Sequence, residues 1–414
     1  MAYLILDPCG KYPAQLMDFL ARQLEQGAVA VFTSQGRYLL WCDKWSKTLG
    51  SYVLDEYLIP QWPRMSLLAD RIARDWPSLL GVIPWDEQHV LLGADLGERL
   101  DLGWNPRHVI ERCRDKGVMK AWLRDKGRVR VNASATVTDA GEALTFQRRL
   151  GKWPIVVKPT GGSGSEDVYF AEDDTDLLGA CQRVLRSGAG EVLLEEFVGG
   201  HELAVNGVVD AKGDLLVTDV WLYDRRTSHG IPNLYHQSLK VESSHPIFGR
   251  VGRYAAAVVE DLELRRSPIH MEVKVDDDGP CLIEVGARLS GGNLPMLASK
   301  VHGRSLFELA ACHYVGRLPA LGSDVDFERY DRYHARVVHG VQPSEIPRIR
   351  AVHGAKEVEQ LPSFDGFGVL RPVGTRAPQT RDLDSQAWEV YLIHEDAGQI
   401  ARDAESARRL LHYE

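Results

Sequence analysis

Short apolar runs alternate with amphipathic stretches over roughly the first 105 residues. The runs AYLILD, near the start, and AVAVFTS, which follows Gly27, are typical of buried strands. Between them, YPAQLMDFLARQLEQG carries apolar residues at helical spacing and predicts a helix that ends at Gly27. This order of strand, helix and strand predicts an α/β domain.

The middle of the chain predicts a longer series of elements. A helix is expected over residues 106–126, with Gly127 ending it. Beyond it, the pattern predicts strands WPIVVKPT and EDVYFAE, helix DTDLLGACQRVLRSG, strand EVLLEEFV, a hairpin that turns at KGD, helix GRVGRYAAAVVEDLEL and a hairpin that turns at DDDG.

The character of the chain changes after Leu318, where short strands, many prolines and a late helix near DAESARRLLHYE are predicted. This tail is expected to be a separate C-terminal module. The predicted division is therefore an N-terminal α/β domain over 1–105, a small lobe over 106–200, a larger lobe over 201–318 and the module over 319–414.

Composition excludes several functions. The formal net charge is −9 and no long basic run occurs, which disfavours nucleic-acid binding. No apolar stretch is long enough to cross a membrane, and the first residues lack the features of a secretory signal. The six cysteines are scattered and form no CxxC pair, so we expect a cytoplasmic protein.

A glycine-rich loop follows Lys158 directly in VVKPTGGSGSEDVYF. Glycines let backbone N–H groups approach an anion closely, and the serine hydroxyls add further donors. The loop is not a Walker A motif, because it does not end in Gly-Lys-Ser/Thr. By itself it is equally consistent with a flexible hairpin turn.

Two glutamates, Glu195 and Glu202, flank the stretch EFVGGH. A strand leaving a sheet there can offer backbone groups to a base, and a carboxylate can accept hydrogen bonds from ribose hydroxyls. A surface hairpin with solvated acids is the simpler interpretation of this motif alone.

The hairpin IHMEVKVDDDGPCLIEVGARLSGGN places His270, Glu272 and Lys274 on one face of its first strand. If its turn centres near Asp278, Glu284 lies opposite Glu272. Two carboxylates at that spacing suit Mg²⁺, which also takes phosphate oxygens. The alternative is that Lys274 and Arg288 neutralise the two acids as salt bridges.

Taken in order, these motifs resemble those of the ATP-grasp superfamily of carboxylate–amine ligases, over about residues 80 to 300. The stretch EVGARLSGG is most similar to the L-amino acid ligases, which synthesise dipeptides. The resemblance implies an ATP-grasp fold of the α/β class with α+β lobes, preceded by a pre-ATP-grasp domain and followed by a C-terminal module.

The resemblance also implies a role for individual residues. The ATP site would comprise the phosphate-binding lysines Lys116 and Lys158, the glycine loop with Gly162, Ser163, Gly164 and Ser165, the adenine-side residues Glu195, Glu196 and Val198, and the ribose-binding Glu202. Glu272 and Glu284 would bind the metal, Arg288 would contact the activated acyl group, and Lys158 and Arg288 would be catalytic. Many relatives have asparagine where this chain has Gly286, so Asn293 is a candidate to replace it.

The activity so implied is formation of an amide from a carboxylate, expected to be that of an amino acid, and an amine through an acyl phosphate. The expected cofactors are ATP and Mg²⁺, with Mn²⁺ as an alternative metal, and the expected partners are small molecules rather than nucleic acid or membrane. A homodimer is left open. Candidate substrate-binding residues are Arg225, His236, Arg288 and Asn293. Alternatives are a carboxylating or purine-pathway enzyme that uses bicarbonate, an ATP-grasp phosphotransferase and a non-enzymatic ATP-binding regulator.

Overall fold

A four-stranded parallel sheet forms the N-terminal part of the computed structural model, which describes residues 2–9, 11–24, 26–162, 167–314 and 325–414. Its strand order is β3-β2-β1-β4. The strands are β1 Ala2–Leu6, β2 Gly27–Phe32, β3 Val53–Leu58 and β4 Leu79–Ile83, and the helices are α1 Lys11–Leu24, α2 Gln35–Leu40, α3 Ser46–Leu49, α4 Met65–Asp75 and α5 Val90–Arg99.

The first two predicted strands are confirmed, but the helix between them ends earlier than predicted. Helix α1 ends at Leu24, and Gly27 already belongs to β2, where it pairs with Ala2. Gly27 was expected to end the helix because glycine often follows a last helical turn. In the fold, the parallel pairing with β1 takes up this residue instead.

The helix predicted over residues 106–126 is two helices, α6 Arg107–Arg114 and α7 Lys116–Lys126. Asp115 between them is extended, with φ −101° and ψ 112°, and its side chain accepts a hydrogen bond from the N–H of Val118. An aspartate that caps a new helix in this way competes with continuation of the previous one. Gly127 ends α7 in the left-handed conformation, as predicted.

A second sheet is antiparallel, with the order β5-β8-β6-β7. Its outer face packs on α8 and α9 through a core that includes Val157, Leu177 and Leu194. Its inner face carries Val156, Lys158 and Glu195. The strands are β5 Ser134–Val137, β6 Ile155–Pro159, β7 Tyr169–Ala171 and β8 Val192–Glu196, and the helices are α8 Ala140–Leu150 and α9 Asp174–Arg186.

The third sheet has eight strands in the order β13-β12-β9-β10-β11-β14-β17-β16. The largest apolar core lies between this sheet and the helices against it. The strands up to residue 314 are β9 His201–Val209, β10 Leu215–Ser228, β11 Ile231–Lys240, β12 Ser267–Asp276 and β13 Gly279–Gly286, and the helices are α10 Pro246–Leu262, α11 Leu294–His302 and α12 Leu306–Tyr314.

The segment after residue 324 shares this sheet although it was expected to form a module of its own. Its strand β14 pairs with β11, and β17 and β16 extend the sheet further. A second apolar core covers the opposite side of these strands. The elements are α13 Phe327–Arg332, β14 His334–His339, β15 Val352–His353, α14 Ala355–Val358, β16 Phe364–Leu370, β17 Trp388–His394, α15 Ala397–Leu410 and β18 His412–Tyr413. The domain boundaries remain predictions.

Helices of the described ranges are too short or too polar to cross a lipid bilayer.

Candidate active site

A cavity of about 600 Å³ lies between the inner face of the second sheet and one face of the eight-stranded sheet. This volume is within the usual range for small-molecule sites. Twelve of the predicted site residues line it: Lys116, Lys158, Gly162, Glu195, Glu196, Val198, Glu202, Arg225, Glu272, Glu284, Arg288 and Asn293. Ser163, Gly164 and Ser165 lie outside the described residues.

The hairpin of β12 and β13 places two carboxylates side by side in the cavity. Glu272 and Glu284 are direct cross-strand partners, as predicted, and the turn lies between Asp276 and Gly279. Residues on the other face of β12, such as Met271, are fully buried in the core. Side chains therefore alternate between cavity and core, and the two carboxylates face the cavity together.

These two carboxylates are hard oxygen donors, which fit a magnesium ion that takes its other ligands from phosphate and water. Among the described residues no group of three or more His, Cys, Asp or Glu side chains is arranged as a metal site. A metal held here would thus rest on Glu272 and Glu284 and on the nucleotide. His270 lies nearby, with Nε2 3.6 Å from a Glu272 oxygen.

Lys116, the first residue of α7, joins Glu284 to the glycine loop. Its ammonium lies 2.8 Å from Glu284 and donates a 2.9 Å hydrogen bond to the carbonyl of Gly162. Burial alone would raise the pKa of Glu284, but the charge of Lys116 lowers it to about 2. Burial alone would lower the pKa of Lys116, but the charge of Glu284 raises it above its ordinary value. Gly162 has φ 142°, a conformation that favours glycine.

Lys158 is held by a buried carboxylate between two lysines. Glu195 is 2% exposed, and its oxygens lie 3.1 Å from Lys158 and 3.1 Å from Lys120. Burial would raise the pKa of Glu195, but the two ammonium charges lower it. Sequence reasoning missed Lys120, which is fully buried. Its position four residues after Lys116 in one helix was the available signal, because residues at that spacing share a helix face.

The apolar end of the cavity is a slot between the two sheets. Val156, Phe170 and Val198 line it, and Phe170 packs edge-on against Phe197 with 6.0 Å between ring centres. The carbonyl of Glu196 accepts a 2.8 Å hydrogen bond from Asn132, while the Glu196 carboxylate points outward to Lys152. The apolar side chains of this slot suit the faces of a planar heterocycle, and residues 196–198 run along one side of it.

Glu202 is buried in the same cavity beside two cations. Arg225 lies 2.5 Å and Lys274 3.9 Å from its carboxylate. Burial raises the pKa of Glu202, and Glu272 raises it further, against the charges of Arg225 and Lys274. The two cations thus offset the cost that burial imposes on the charge of Glu202.

His236 is not brought to the cavity. A register shift between Asp224 and Arg225 makes Arg225 pair with Tyr235, so His236 falls opposite no residue of β10. Burial lowers the pKa of its imidazole, and the charges of Arg408 and Arg226 lower it further, to about 4. The bulge turns Tyr235 and Arg225 into the cavity and His236 away from it.

Arg288 is paired with a residue that sequence reasoning did not consider. Its Nε donates a 2.6 Å hydrogen bond to Glu87, which follows β4 in the N-terminal part. Among the described residues, Arg288 forms no ion pair with Glu272 or Glu284, which was the structural alternative expected from the sequence. A β-carbon at Gly286 would lie 2.8 Å from the same Glu87 oxygen. Glu87 thus occupies the space that a side chain at position 286 would need.

The far end of the cavity contains a polar chain that sequence reasoning also missed. Asn293 donates a 2.7 Å hydrogen bond to the Tyr391 hydroxyl, which in turn donates to Glu389. Glu389 lies 3.3 Å from Nδ1 of His339. Glu389 and Tyr391 alternate with apolar residues in WEVYLIH, and this period-two pattern was the signal for a strand with one polar face.

Comparison with known proteins agrees with this architecture. Residues 151–295 match the model of the ATP-grasp domain. The chain is 27% identical to dapdiamide A synthase of Enterobacter agglomerans over 280 residues, 64% of each chain. It is 21% identical to the L-arginine-specific L-amino acid ligase of Bacillus subtilis over 247 residues, 58% of this chain and 59% of that one. The chain therefore matches less than two thirds of either curated relative.

Among solved structures, the L-amino acid ligase from Bacillus licheniformis superposes with a TM-score of 0.79 at 17% identity, covering 100% of this chain and 98% of that one. The phosphoribosylglycinamide synthetase from Anaerococcus prevotii superposes with a TM-score of 0.66 at 12% identity, over 100% and 99% of the two chains. Residues 151–295 therefore form an ATP-grasp domain, in a chain that has the ATP-grasp fold.

Proposed function

We propose that this protein is an ATP-dependent ligase that joins the carboxylate of an amino acid, or of a related acid, to an amine. One observation carries the proposal. A single cavity gathers the opposed carboxylates Glu272 and Glu284 together with Lys116, Lys158 and Arg288, and these residues come from three separate parts of the chain. This is the set of charges that phosphoryl transfer to a carboxylate requires.

The first step transfers the γ-phosphoryl group of ATP. An oxygen of the substrate carboxylate forms the new bond to phosphorus while the bond to the β-phosphate oxygen breaks, giving an acyl phosphate and ADP. Lys116 and Lys158 would bind the phosphates, and the Arg288 fork would contact the transferring oxygens. Mg²⁺ bound to Glu272 and Glu284 would supply further positive charge to the phosphate oxygens.

In the second step, a neutral amine attacks the acyl carbon. The carbon–nitrogen bond forms, the carbon–oxygen bond to phosphate breaks, and the nitrogen loses a proton, giving an amide and inorganic phosphate. No serine or cysteine nucleophile is needed for this chemistry. The cavity walls would exclude water, which would otherwise hydrolyse the acyl phosphate.

The relatives support an amino acid as one substrate. The printed name of one relative is an L-arginine-specific L-amino acid ligase, and that of another is dapdiamide A synthase. ATP and Mg²⁺ are the cofactors that we propose for this chain, and a related fold has been solved with MgADP and bicarbonate. Small molecules are the only partners that the proposal requires.

The test is a matrix of the twenty L-amino acids taken in pairs, with ATP and Mg²⁺. We expect at least one pair to give a product of the summed masses minus water, with one ADP and one phosphate per product. The Glu284→Gln variant, prepared identically, controls for contaminating ATPases. ADP formation with bicarbonate alone would instead indicate a carboxylating enzyme, and a stable phosphorylated product would indicate a phosphotransferase. ATP binding without any turnover would refute the ligase and favour a regulator.

A further inference from the structure

Glu389 of β17 is a buried carboxylate at the cavity wall, away from the slot lined by Val156, Phe170 and Val198. Its oxygens accept hydrogen bonds from the Tyr391 hydroxyl and, at 3.4 Å, from the side-chain amide of Gln386. A β-carbon at Gly368 would overlap both the Glu389 carboxylate and the Tyr391 hydroxyl. The absence of a side chain on this glycine lets the carboxylate occupy the wall.

Among the described residues, no lysine or arginine forms an ion pair with this carboxylate within 4.0 Å. Within the described ranges, the base that lies within 4.0 Å of it is His339, at 3.3 Å. Burial lowers the pKa of His339 below its ordinary value, although the charge of Glu389 and the hydrogen bond with Gln386 oppose this shift, so the neutral imidazole is favoured at pH 7. A buried carboxylate that faces a cavity without a cation is costly in the free protein. A cationic ligand would remove that cost.

We propose that Glu389 binds the primary ammonium group of a substrate, with Tyr391 and Asn293 as positioning residues. This inference rests on the proposed function, because it assigns the substrate class of the same cavity. It makes the site selective for molecules with a free amino group. The acids at the nucleotide end cannot do this, because Glu195, Glu202 and Glu284 already have cationic partners.

Glu389 and Arg288 line the same cavity and are linked through one loop. Asn293 lies five residues after Arg288 in the loop that follows β13, and it is hydrogen-bonded to Tyr391, which donates to Glu389. An α-amino acid carries its ammonium one carbon away from its carboxylate. A cation for the carboxylate and an anion for the ammonium are therefore needed at opposite sides of one small space.

Either of the two substrates of a ligase can carry the ammonium group that Glu389 binds. The ammonium belongs either to the acid that is phosphorylated or to the amine that attacks. Both carry the same charge and the same three donors, so the structure assigns the ammonium site and the experiment distinguishes its source.

The first experiment measures binding. The twenty L-amino acids are titrated by calorimetry into the whole protein with Mg²⁺ and a non-hydrolysable ATP analogue, and each amino acid that binds is compared with its 2-hydroxy analogue. We expect Glu389→Gln to weaken amino acid binding about 10- to 100-fold, because a charge-assisted hydrogen bond is lost. The hydroxy analogue should bind the wild type and the variant equally weakly, and affinity for the ATP analogue should be unchanged.

Two variants keep this test interpretable. Glu395→Gln makes the same substitution six residues away at an exposed ion pair with Arg332, and it should bind amino acids like the wild type. Tyr391→Phe removes only the hydroxyl that orients Glu389, and it should weaken the same amino acid by a smaller factor while leaving the hydroxy analogue unaffected. Equal binding by wild type and Glu389→Gln, or no amino acid binding by the wild type, would overturn the proposal.

The second experiment identifies the source. Hydroxylamine replaces the amine and traps the acyl phosphate as a hydroxamate, so that the KM of the acid is measured without the amine substrate. A raised acid KM in Glu389→Gln places the ammonium on the acid. An unchanged acid KM with a raised amine KM in full ligation places it on the amine, and two unchanged values reject the site. Amino acid binding through Glu389 without ligation products would refute the proposed function alone.

Discussion

Glu195→Gln removes the one negative charge between two buried lysines while it preserves the shape of the side chain. Lys120 and Lys158 would then face an amide instead of a carboxylate, in a region where Glu195 is 2% and Lys120 0% exposed. Oε1 of Glu195 accepts no hydrogen bond from the described residues, so its interaction with Lys120 is one of charge, while the Lys120 ammonium donates hydrogen bonds to Asn132 and to the Leu282 carbonyl. The substitution therefore removes an electrostatic interaction rather than a packing contact.

The expected loss of stability can be worked from these contacts. Two opposite charges 3.1 Å apart attract by about 5 kcal/mol at an effective dielectric constant of about 20, before the cost of desolvation. Breaking a buried pair by removing one partner typically costs about 3–5 kcal/mol. At an unfolding entropy of about 2.1 cal/mol/K per residue over 414 residues, 1 kcal/mol corresponds to about 1 °C, so the thermal midpoint should fall by roughly 3–6 °C. Affinity for ATP should fall as well, because Lys158 loses the group that positions it.

Scanning calorimetry at pH 7 measures this effect, and Glu196→Gln is the matched control. Glu196 is the next residue, but its partner Lys152 is 67% exposed, so its loss should cost less than about 1 kcal/mol. The pKa of Glu195 is lowered in the folded protein, so its contribution is complete above the ordinary carboxyl pKa of 4.5 and is lost as the pH falls through the lowered value. The gap between wild type and variant should therefore persist from pH 8 to pH 5. Equal midpoints for Glu195→Gln and Glu196→Gln would refute the reasoning.

Four further substitutions test the nucleotide site and the chemistry. Lys158→Ala should weaken ATP binding by about tenfold or more in calorimetry, since a cation beside the phosphates is lost; an unchanged Kd would contradict this. Glu284→Gln should weaken Mn²⁺ binding, followed by electron paramagnetic resonance with ADP present, and should lower turnover by about a hundredfold. The same variant should lower the thermal midpoint, because Lys116 loses its 2.8 Å partner. Arg288→Lys should preserve ATP affinity and abolish most turnover, because a point charge cannot replace the planar fork. Glu87→Gln should lower kcat by a smaller factor than Arg288→Lys does. Near-normal kcat in Arg288→Lys would mean that this arginine only binds Glu87.

Local patterns predicted the part of the site that is built from one hairpin. Period-two alternation and the DDDG turn were enough to place Glu272 opposite Glu284, because the register of a hairpin is set by its turn. The helix break before Lys116 was missed because a single aspartate can cap as well as continue a helix. Here the capping side chain of Asp115 prevailed.

Contacts between distant segments could not be predicted in this way. Glu87 and Arg288 are 201 residues apart, and neither carries a pattern that names the other. The same holds for Glu389, whose strand was recognisable but whose place beside the cavity depends on sheet order. The sequence alone could show that β17 has a polar face, but not which other strands surround that face.

The continuous eight-stranded sheet has a consequence for any shortened form of the chain. A fragment ending at residue 318 would lose β14, which pairs with β11 through Gln237, Ser238 and Leu239. The N–H and C=O groups of β11 would then form an open sheet edge, able to pair with β11 of another molecule. Such a fragment should aggregate even though every residue of its ATP-grasp domain is intact. Strand β14 thus protects the edge of β11 from pairing with another molecule, in addition to lining the cavity with Val337 and His339.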